Sequence, residues 1–183
     1  DLRHVDQTHY ERCDVADYRS AQSLFGEQEF DIVYHAAAKF GRNSGERHYV
    51  ALWRTNAIGT KNILRQQEER RFRLVMFSSS EVYDDWPDLM TEEVLDQHPI
   101  KQMNDYAISK WVNELQALNS SARFGTETVR VRLFNTYGPG EYYPPVRSVI
   151  CVIIHRPRPD LPHSVDLDHP RPSTRHPDPW RPP

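Results

Sequence analysis

The chain has 183 residues, enough for one domain that buries roughly 70% of the surface exposed by its unfolded form. Its 23 Lys plus Arg against 26 Asp plus Glu give a formal charge of −3 without a basic block, which argues against nucleic acid as a partner. No apolar run approaches a membrane span and no charged-then-apolar leader opens the sequence, so we expect neither membrane insertion nor export.

Between residues 15 and 134 the sequence alternates helical and strand patterns. The first helix is predicted over residues 17–25, with Gly26 as its cap. Its apolar stripe consists of Tyr18, Ala21, Leu24 and Phe25. A β-rich strand at residues 31–35 and a long helix over about residues 46–71 follow. Core candidates on the long helix are Leu52, Ile63 and Leu64.

A second buried strand, residues 72–77, runs into the polar triplet Ser78-Ser79-Ser80, at a strand end where ligand sites are common. The next helix is predicted over residues 105–122 and ends before Gly125. Its core stripe is Ala107, Trp111, Leu115 and Leu118. A third strand, residues 128–134, presents one apolar face made of Val129, Val131 and Leu133. This alternation favours an α/β fold with a parallel, helix-covered sheet.

The end of the chain differs in composition from the rest. Residues 155–183 are rich in proline, interspersed with Arg, His and Asp, and show no apolar period. We therefore predict a folded domain over residues 1–154 and an unstructured tail over residues 155–183. Alternatively this end is foreign to the fold, for instance after a change of reading frame in a GC-rich gene.

Tyr106 and Lys110 are the first candidates for chemistry. Their i,i+4 spacing sets a phenol and an ammonium on one face of the predicted helix. A lysine beside a tyrosine favours the phenolate and lowers the pKa of the tyrosine. The pair then forms an acid/base that exchanges a proton with a substrate hydroxyl near neutral pH. The same Tyr-x-x-x-Lys spacing also occurs by chance in ordinary helices. Whether the pair is catalytic therefore has to be judged from the neighbouring motifs.

Six motifs stand in order over roughly residues 10–150. They are Cys13-Asp14-Val15, Asp31-Ile32-Val33-Tyr34-His35-Ala36-Ala37-Ala38, Thr55-Asn56-Ala57-Ile58-Gly59-Thr60-Lys61-Asn62, Ser78-Ser79-Ser80-Glu81-Val82-Tyr83, Tyr106-x-x-x-Lys110 and Arg132-Leu133-Phe134-Asn135-Thr136-Tyr137-Gly138-Pro139. Together they resemble the extended short-chain dehydrogenases, specifically the NAD-dependent nucleotide-sugar epimerase/dehydratase family. The resemblance implies a Rossmann-like parallel sheet with helices on both faces, truncated at both ends, with NAD as cofactor and a nucleotide sugar as substrate.

The resemblance also implies roles for the candidate catalytic residues. Tyr106 is the acid/base at the sugar C4 hydroxyl, Ser79 hydrogen-bonds the same oxygen, and Lys110 holds the nicotinamide ribose. Glu81 matches a glutamate that assists chemistry beyond C4, such as removal of the C5 proton from a 4-keto sugar. The reaction type stays open between 4,6-dehydratase, epimerase and decarboxylase. Ser80 replaces the aspartic acid of dTDP-hexose dehydratases, which disfavours that subtype.

Further roles follow from the same resemblance. Lys110 shares the cofactor contacts with six other residues. Asp14 and Val15 match the family's adenine contacts, Ala36, Ala37 and Ala38 form the loop after a strand, and Thr55 lies on the helix that follows. Asn135 matches the asparagine that meets the nucleotide-sugar diphosphate, and Asn56 is expected to bond backbone around the active-site helix. Relatives pair two helices across a dimer, so a homodimer is expected through the helices that carry Trp53 and Trp111.

One expected feature is missing from the sequence. The seven glycines nowhere form Gly-x-x-Gly-x-x-Gly or Gly-x-Gly-x-x-Gly, the loop that brings a cofactor pyrophosphate onto backbone N–H groups. Two hypotheses therefore remain: an NAD-dependent sugar-nucleotide enzyme or its core, and a non-catalytic fragment that cannot bind NAD and acts at most through subunit contacts. Cys13 and Cys151 lack metal-ligand spacing, so no metal site is expected, and they fit a cytoplasmic protein.

Overall fold

Three parallel strands form the sheet on which the described helices pack. The structure is a computed structural model that describes residues 10–136, without the side chains of residues 42–44. The strands β1 (Ile32–His35), β2 (Arg73–Ser79) and β3 (Thr128–Leu133) lie in the order β1-β2-β3. Both strand pairs are parallel, which confirms the predicted α/β class.

The helices occupy the crossovers between the strands. Before β1 lies α1 (Tyr18–Glu27). The β1–β2 crossover contains α2 (Arg42–Arg47), α3 (Tyr49–Trp53), a π-helical turn (Arg54–Ile58) and α4 (Gly59–Arg70). The β2–β3 crossover contains a 3₁₀ turn (Ser80–Tyr83), α5 (Val94–Gln97) and α6 (Asp105–Phe124). Because α1 packs on α4 and α4 packs on α6, these three helices form one layer.

The main core lies between this helical layer and the sheet. Its buried members are Cys13, Ala21, Phe25, Ile63, Leu64, Phe72, Leu74, Met76 and Ala117. The rings of Phe25 and Phe72 stack with centroids 5.2 Å apart. Leu74 and Met76 alternate with less buried residues along β2, as the two-residue period of a strand requires. Ser78 continues this alternation and therefore points toward the helical layer.

Two predicted helix ends need correction. Gly26 lies inside α1, which ends one residue later and is followed by Gln28 in an extended conformation, so Gly26 is not the cap. The long helix predicted from residue 46 begins at Tyr49, because α2 and His48 precede it, and the π-helical turn interrupts it. Its predicted core residues are nevertheless buried: Leu52, Ile63 and Leu64.

The predicted core stripe of α6 is wrong at two of its four positions. Leu115 and Leu118 are 46% and 39% exposed. The buried side of α6 is mostly polar and consists of Ala107, Ser109, Lys110, Asn113, Glu114, Ala117 and Ser120. The reason is that this side meets polar and charged groups of β2, β3 and α4, which an apolar stripe would leave unpaired.

All these elements belong to a unit that ends at Phe134. The predicted boundary at residue 154, the proline-rich tail and Cys151 lie outside the described residues. Within residues 10–136, no helix is both long and apolar enough to cross a membrane.

Gly125 offers a test of the end of α6. It has a φ of +65°, and its N–H bonds the carbonyl oxygen of Ser121 at 2.8 Å. Gly125→Ala should lower the free energy of unfolding in urea by about 1 kcal/mol, because a side chain is strained in this conformation. Gly26→Ala is the matched control: its Cβ would meet only Arg70 Nη2 at 3.9 Å, and it should be neutral or stabilise by about 0.5 kcal/mol. Equal effects of the two changes would contradict the assigned helix ends.

Candidate active site

Four polar side chains lie where the carboxyl end of β2 meets the beginning of α6: Ser79, Glu81, Tyr106 and Lys110. Two caps fix the local backbone. Asn104 begins α6, and its side-chain oxygen accepts a hydrogen bond from the N–H of Ala107 at 2.9 Å. The hydroxyl of Ser79 accepts a hydrogen bond from the N–H of Glu81 at 3.2 Å and so caps the 3₁₀ turn.

The Tyr106 phenol is half-buried and faces Ser79 and Glu81. Burial raises the pKa of Tyr106 above its ordinary value, a hydrogen bond with Ser79 lowers this pKa, and the negative charge of Glu81 raises it. Asn104 Nδ2 donates to Glu81 Oε2 at 3.4 Å, which holds the carboxylate beside the start of α6. The structure therefore brings together three of the residues that the sequence places far apart.

Lys110 approaches Tyr106 without bonding to it. Its Nζ lies 5.9 Å from the centroid of the Tyr106 ring and donates to the carbonyl oxygen of Phe77 at 2.7 Å. Burial lowers the pKa of Lys110 to about 8. The expectation that Lys110 lowers the pKa of Tyr106 is wrong for this conformation, because the ammonium is turned to β2 and burial dominates at the phenol.

His35, at the end of β1, is a buried titratable residue that the sequence analysis noted only as part of a motif. Its Nε2 lies 3.0 Å from Thr60 Oγ1 of α4. Burial, and then the positive charge of Lys110, lower the pKa of His35 to about 4. A histidine that ends a strand just before a run of small residues was the available signal for this position.

Asn56 clamps the segment after β1 to α6. Its Oδ1 accepts from the N–H of Lys39 at 2.8 Å, and its Nδ2 donates to the carbonyl oxygen of Lys39 at 3.0 Å and to Ser109 Oγ at 2.9 Å. Ser109 Oγ in turn donates to the carbonyl oxygen of Tyr106 at 2.8 Å. The predicted backbone-bonding role of Asn56 is confirmed, and the π-helical turn carries this residue.

The other candidate positions fall in three places. Ala36 and Ala37 are exposed and Ala38 and Thr55 half-buried, on the segment after β1 and in the π-helical turn. Asn135, two residues beyond β3, is exposed.

Asp14 and Val15 contact α4 and their own turn. Asp14 Oδ1 accepts from the N–H of Ala16 at 3.0 Å, and Asn62 Nδ2 donates to the carbonyl oxygen of Val15 at 2.8 Å. A Cβ added at Gly59 would lie only 2.8 Å from Val15 Cγ2, so the glycine permits this close approach.

A parallel α/β sheet with a tyrosine and a lysine one helical turn apart at a strand's carboxyl end, beside a strand-end serine, defines an extended short-chain dehydrogenase. Comparison with known families agrees with this class. The sequence model of the NAD dependent epimerase/dehydratase family matches residues 1–159. The chain belongs to this family.

Individual relatives refine the comparison. The chain is 30% identical over 138 residues to a UDP-N-acetyl-alpha-D-glucosaminuronate decarboxylase of Bacillus cytotoxicus. The aligned region covers 74% of the chain and 42% of that protein. Pal from Bacillus thuringiensis superposes with a TM-score of 0.71 at 29% identity, over 78% of the chain and 45% of Pal. MoeE5 in complex with UDP-glucose and NAD superposes with a TM-score of 0.62 at 25% identity, over 72% of the chain and 43% of MoeE5. The chain thus spans less than half the length of each.

The described residues fit one half of the family's NAD cofactor. Lys110 Nζ has three N–H groups and one acceptor within residues 10–136, the carbonyl oxygen of Phe77, so two donors are available to ribose hydroxyls. Ala36 and Ala37 directly follow β1, and both are small and exposed. The pyrophosphate half is different, because no glycine-rich loop occurs in the 183-residue sequence.

The buried His35 predicts a specific pH dependence. Its pKa is 6.5 in an unfolded chain and about 4 in the fold, so the stability that it contributes is complete above about pH 6.5 and is lost as the pH falls toward 4. The loss reaches about 3 kcal/mol. His35→Gln should therefore show a shallower fall in the free energy of urea unfolding between about pH 7 and pH 4 than the wild-type chain. Parallel pH profiles for the two proteins would refute the neutral, buried state of His35.

Proposed function

We propose that this chain carries the catalytic part of an NAD-dependent enzyme that modifies a nucleotide sugar through a transient 4-keto intermediate. The observation that carries the proposal is the convergence of Ser79, Glu81, Tyr106 and Lys110 at one strand end. Ser79, Tyr106 and Asn135 are proposed to bind the substrate. The proposed cofactor contacts are Asp14, Val15, Ala36, Ala37, Ala38, Thr55 and Lys110.

In this mechanism, Tyr106 takes the proton of the sugar C4 hydroxyl. Ser79, already bonded to the phenol, donates a hydrogen bond to the same sugar oxygen and keeps it beside Tyr106. NAD, when bound, supplies the hydride acceptor for C4. A positive charge within ~4–6 Å favours a phenolate, so Lys110 promotes the proton transfer once its ammonium turns from Phe77 toward the phenol.

Among the three possible reaction types, we propose decarboxylation of a UDP-linked sugar acid. The similarity to a decarboxylase at 30% identity supports this choice. Oxidation at C4 places a ketone β to the C6 carboxylate, so that the C5–C6 bond breaks, CO₂ leaves and its electron pair forms an enolate. Glu81, held beside the phenol, then carries the proton that C5 receives.

A second candidate function is a non-catalytic member of the family that acts through subunit contacts. This candidate concerns the 183 residues taken by themselves, among which no glycine-rich loop occurs. Both candidates accommodate a homodimer through the helices that carry Trp53 and Trp111. Each indole is half-buried. Trp53 Nε1 donates to Asp105 Oδ1 at 3.3 Å, and Trp111 packs against the small core cluster that contains Val82 and Tyr83.

The exposed apolar side chains of the same helical region include Val50, Ile58, Leu115 and Leu118. They are the proposed centre of the dimer contact. We also propose a cytoplasmic setting, which the low cysteine content supports.

Titration calorimetry with NAD separates the two candidates. The enzyme proposal expects binding in the micromolar range and a dissociation constant at least about tenfold higher for Lys110→Met, which loses a charged hydrogen-bond donor. Lys101→Met removes an exposed lysine outside the cluster and should leave the affinity unchanged. No binding of the 183-residue chain at millimolar NAD would refute the enzyme proposal for this chain, though not for a longer protein that contains it.

Tyr106→Phe tests the proposed acid/base. With UDP-glucuronic acid and NAD, the change should lower kcat by about 10² to 10⁴ with little effect on KM, because proton transfer is lost while binding contacts remain. Tyr49→Phe, at an exposed tyrosine, is the matched control. Release of labelled CO₂ from C6 is the readout. A turnover that yields an epimer or a 4-keto-6-deoxy sugar from UDP-glucose, without CO₂ from the acid, would replace decarboxylation by one of the other two reactions.

A further inference from the structure

Glu114 of α6 has the most deeply buried carboxylate within residues 10–136, with no exposed side-chain surface. Its oxygens accept hydrogen bonds from Ser78 Oγ at 2.5 Å, Arg130 Nη1 at 3.2 Å and Arg132 Nη2 at 2.8 Å. Arg132 Nε adds a further bond to Oε1 at 3.1 Å. The carboxylate therefore joins α6 to both β2 and β3, and the proposed reaction makes no use of it.

Arg132 extends this network to the turn after β2. Its Nη1 donates to the Tyr83 hydroxyl at 2.7 Å and to the carbonyl oxygen of Glu92 at 2.9 Å, and its guanidinium lies 5.1 Å from the Tyr83 ring centroid. Burial alone would lower the pKa of Arg132, but the bonds to Glu114 and Tyr83 raise it. One permanently charged guanidinium thus ties the strand, the 3₁₀ turn and the segment before α5 to α6.

The two ends of the segment that carries Ser79 and Glu81 are both held by this network. Ser78 immediately precedes Ser79, and Tyr83 follows Glu81 by two residues. We propose that Glu114 and Arg132 are positioning residues, which fix Ser79 and Glu81 against the Tyr106 phenol. The inference deepens the proposed function and rests on it for the roles of these three side chains.

Stability alone is a weak reason for such a network. A buried ion pair loses much of its Coulomb energy to desolvation, and well-packed apolar residues often stabilise a fold equally well. A geometric role fits better, because directional hydrogen bonds from three side chains to one carboxylate hold α6 in one register on the sheet.

A second buried carboxylate supplies a matched control. Glu68 of α4 accepts from Ser120 Oγ of α6 at 2.9 Å and pairs with Lys61 and Arg65 at 3.4 and 2.9 Å. This cluster resembles the Glu114 cluster in its chemistry: a serine hydroxyl and two basic side chains meet one carboxylate. Its described contacts involve none of Ser79, Glu81, Tyr106 and Lys110.

The test follows the titration of the Tyr106 phenol by NMR in the full chain labelled with ¹³Cζ-tyrosine, with Tyr106→Phe assigning the signal. The two site variants are Glu114→Gln and Ser78→Ala, and their controls are Glu68→Gln and Ser120→Ala. Glu114→Gln leaves two arginines without a charged partner and risks loss of the fold. Ser78→Ala keeps both ion pairs, so this variant alone decides the test if Glu114→Gln does not fold.

The inference expects the pKa of Tyr106 to rise in both site variants and to stay at the wild-type value in both controls. Burial of the phenol is the largest cause that raises the pKa of Tyr106, and it is expected to persist because neither Ser78 nor Glu114 has a described contact with the phenol. The rise then follows from displacement of Ser79, whose hydrogen bond lowers the pKa of Tyr106. Displacement of Glu81 acts in the opposite direction but is the smaller effect. Loss of a negative charge in Glu114→Gln would by itself lower the pKa of the Tyr106 phenol. A rise of this pKa would therefore indicate that Ser79 has been displaced, not that a charge has been removed.

An unchanged Tyr106 pKa in the folded site variants, or an equal rise in the Glu68 and Ser120 controls, would overturn the positioning role. The titration requires neither NAD nor a sugar substrate. Its outcome is therefore separate from that of the binding and turnover experiments, and absence of turnover would refute the proposed function without touching the measured coupling between Glu114 and Tyr106.

Discussion

The seating of α6 across the carboxyl end of β2 is the constraint on which the candidate site depends. Two hydrogen bonds define it: Lys110 Nζ to the carbonyl oxygen of Phe77, and Ser78 Oγ to Glu114. Tyr106 lies one turn before Lys110 on the same helix face and adds a third contact, its hydrogen bond with Ser79 at the end of the strand. A change of helix register would disconnect all three contacts at once.

This seating explains which parts of the fold the sequence could predict. The β-rich runs of β1, β2 and β3 identify these strands without tertiary information, although only β2 buries apolar residues fully, namely Leu74 and Met76. The inner face of α6 gave no such signal, because it is polar, and the apolar spacing of Leu115 and Leu118 marks the outer side of the helix instead. The periodicity of apolar residues predicts only an apolar buried face. The buried face of α6 is polar instead, and its polar groups form ion pairs and hydrogen bonds.

The candidate site was predictable in part for a related reason. Tyr106 and Lys110 are local neighbours, so their spacing carried the information, and Ser79 was marked by its place at a strand end. His35 and Glu114 derive their environments from partners 25 and 36 residues away, Thr60 and Ser78. The direction in which a pKa moves depends on such partners and on burial, so the charge state of the cluster could not be inferred from spacing.

The same burial acts in opposite senses on the two groups of the Tyr106–Lys110 pair. It raises the pKa of the phenol and lowers the pKa of the ammonium to about 8, and each shift favours the neutral form. A general base requires the reverse at the phenol, and the nearby Glu81 adds to the rise. The positive charge of Lys110 would oppose the effects of burial and of Glu81 on the Tyr106 pKa. In this conformation the Lys110 ammonium instead donates to the Phe77 carbonyl oxygen. Under the proposed function, a ligand hydroxyl that accepts from Lys110 and draws Nζ away from β2 toward Tyr106 would couple occupation of the site to activation of the phenol through this one side chain.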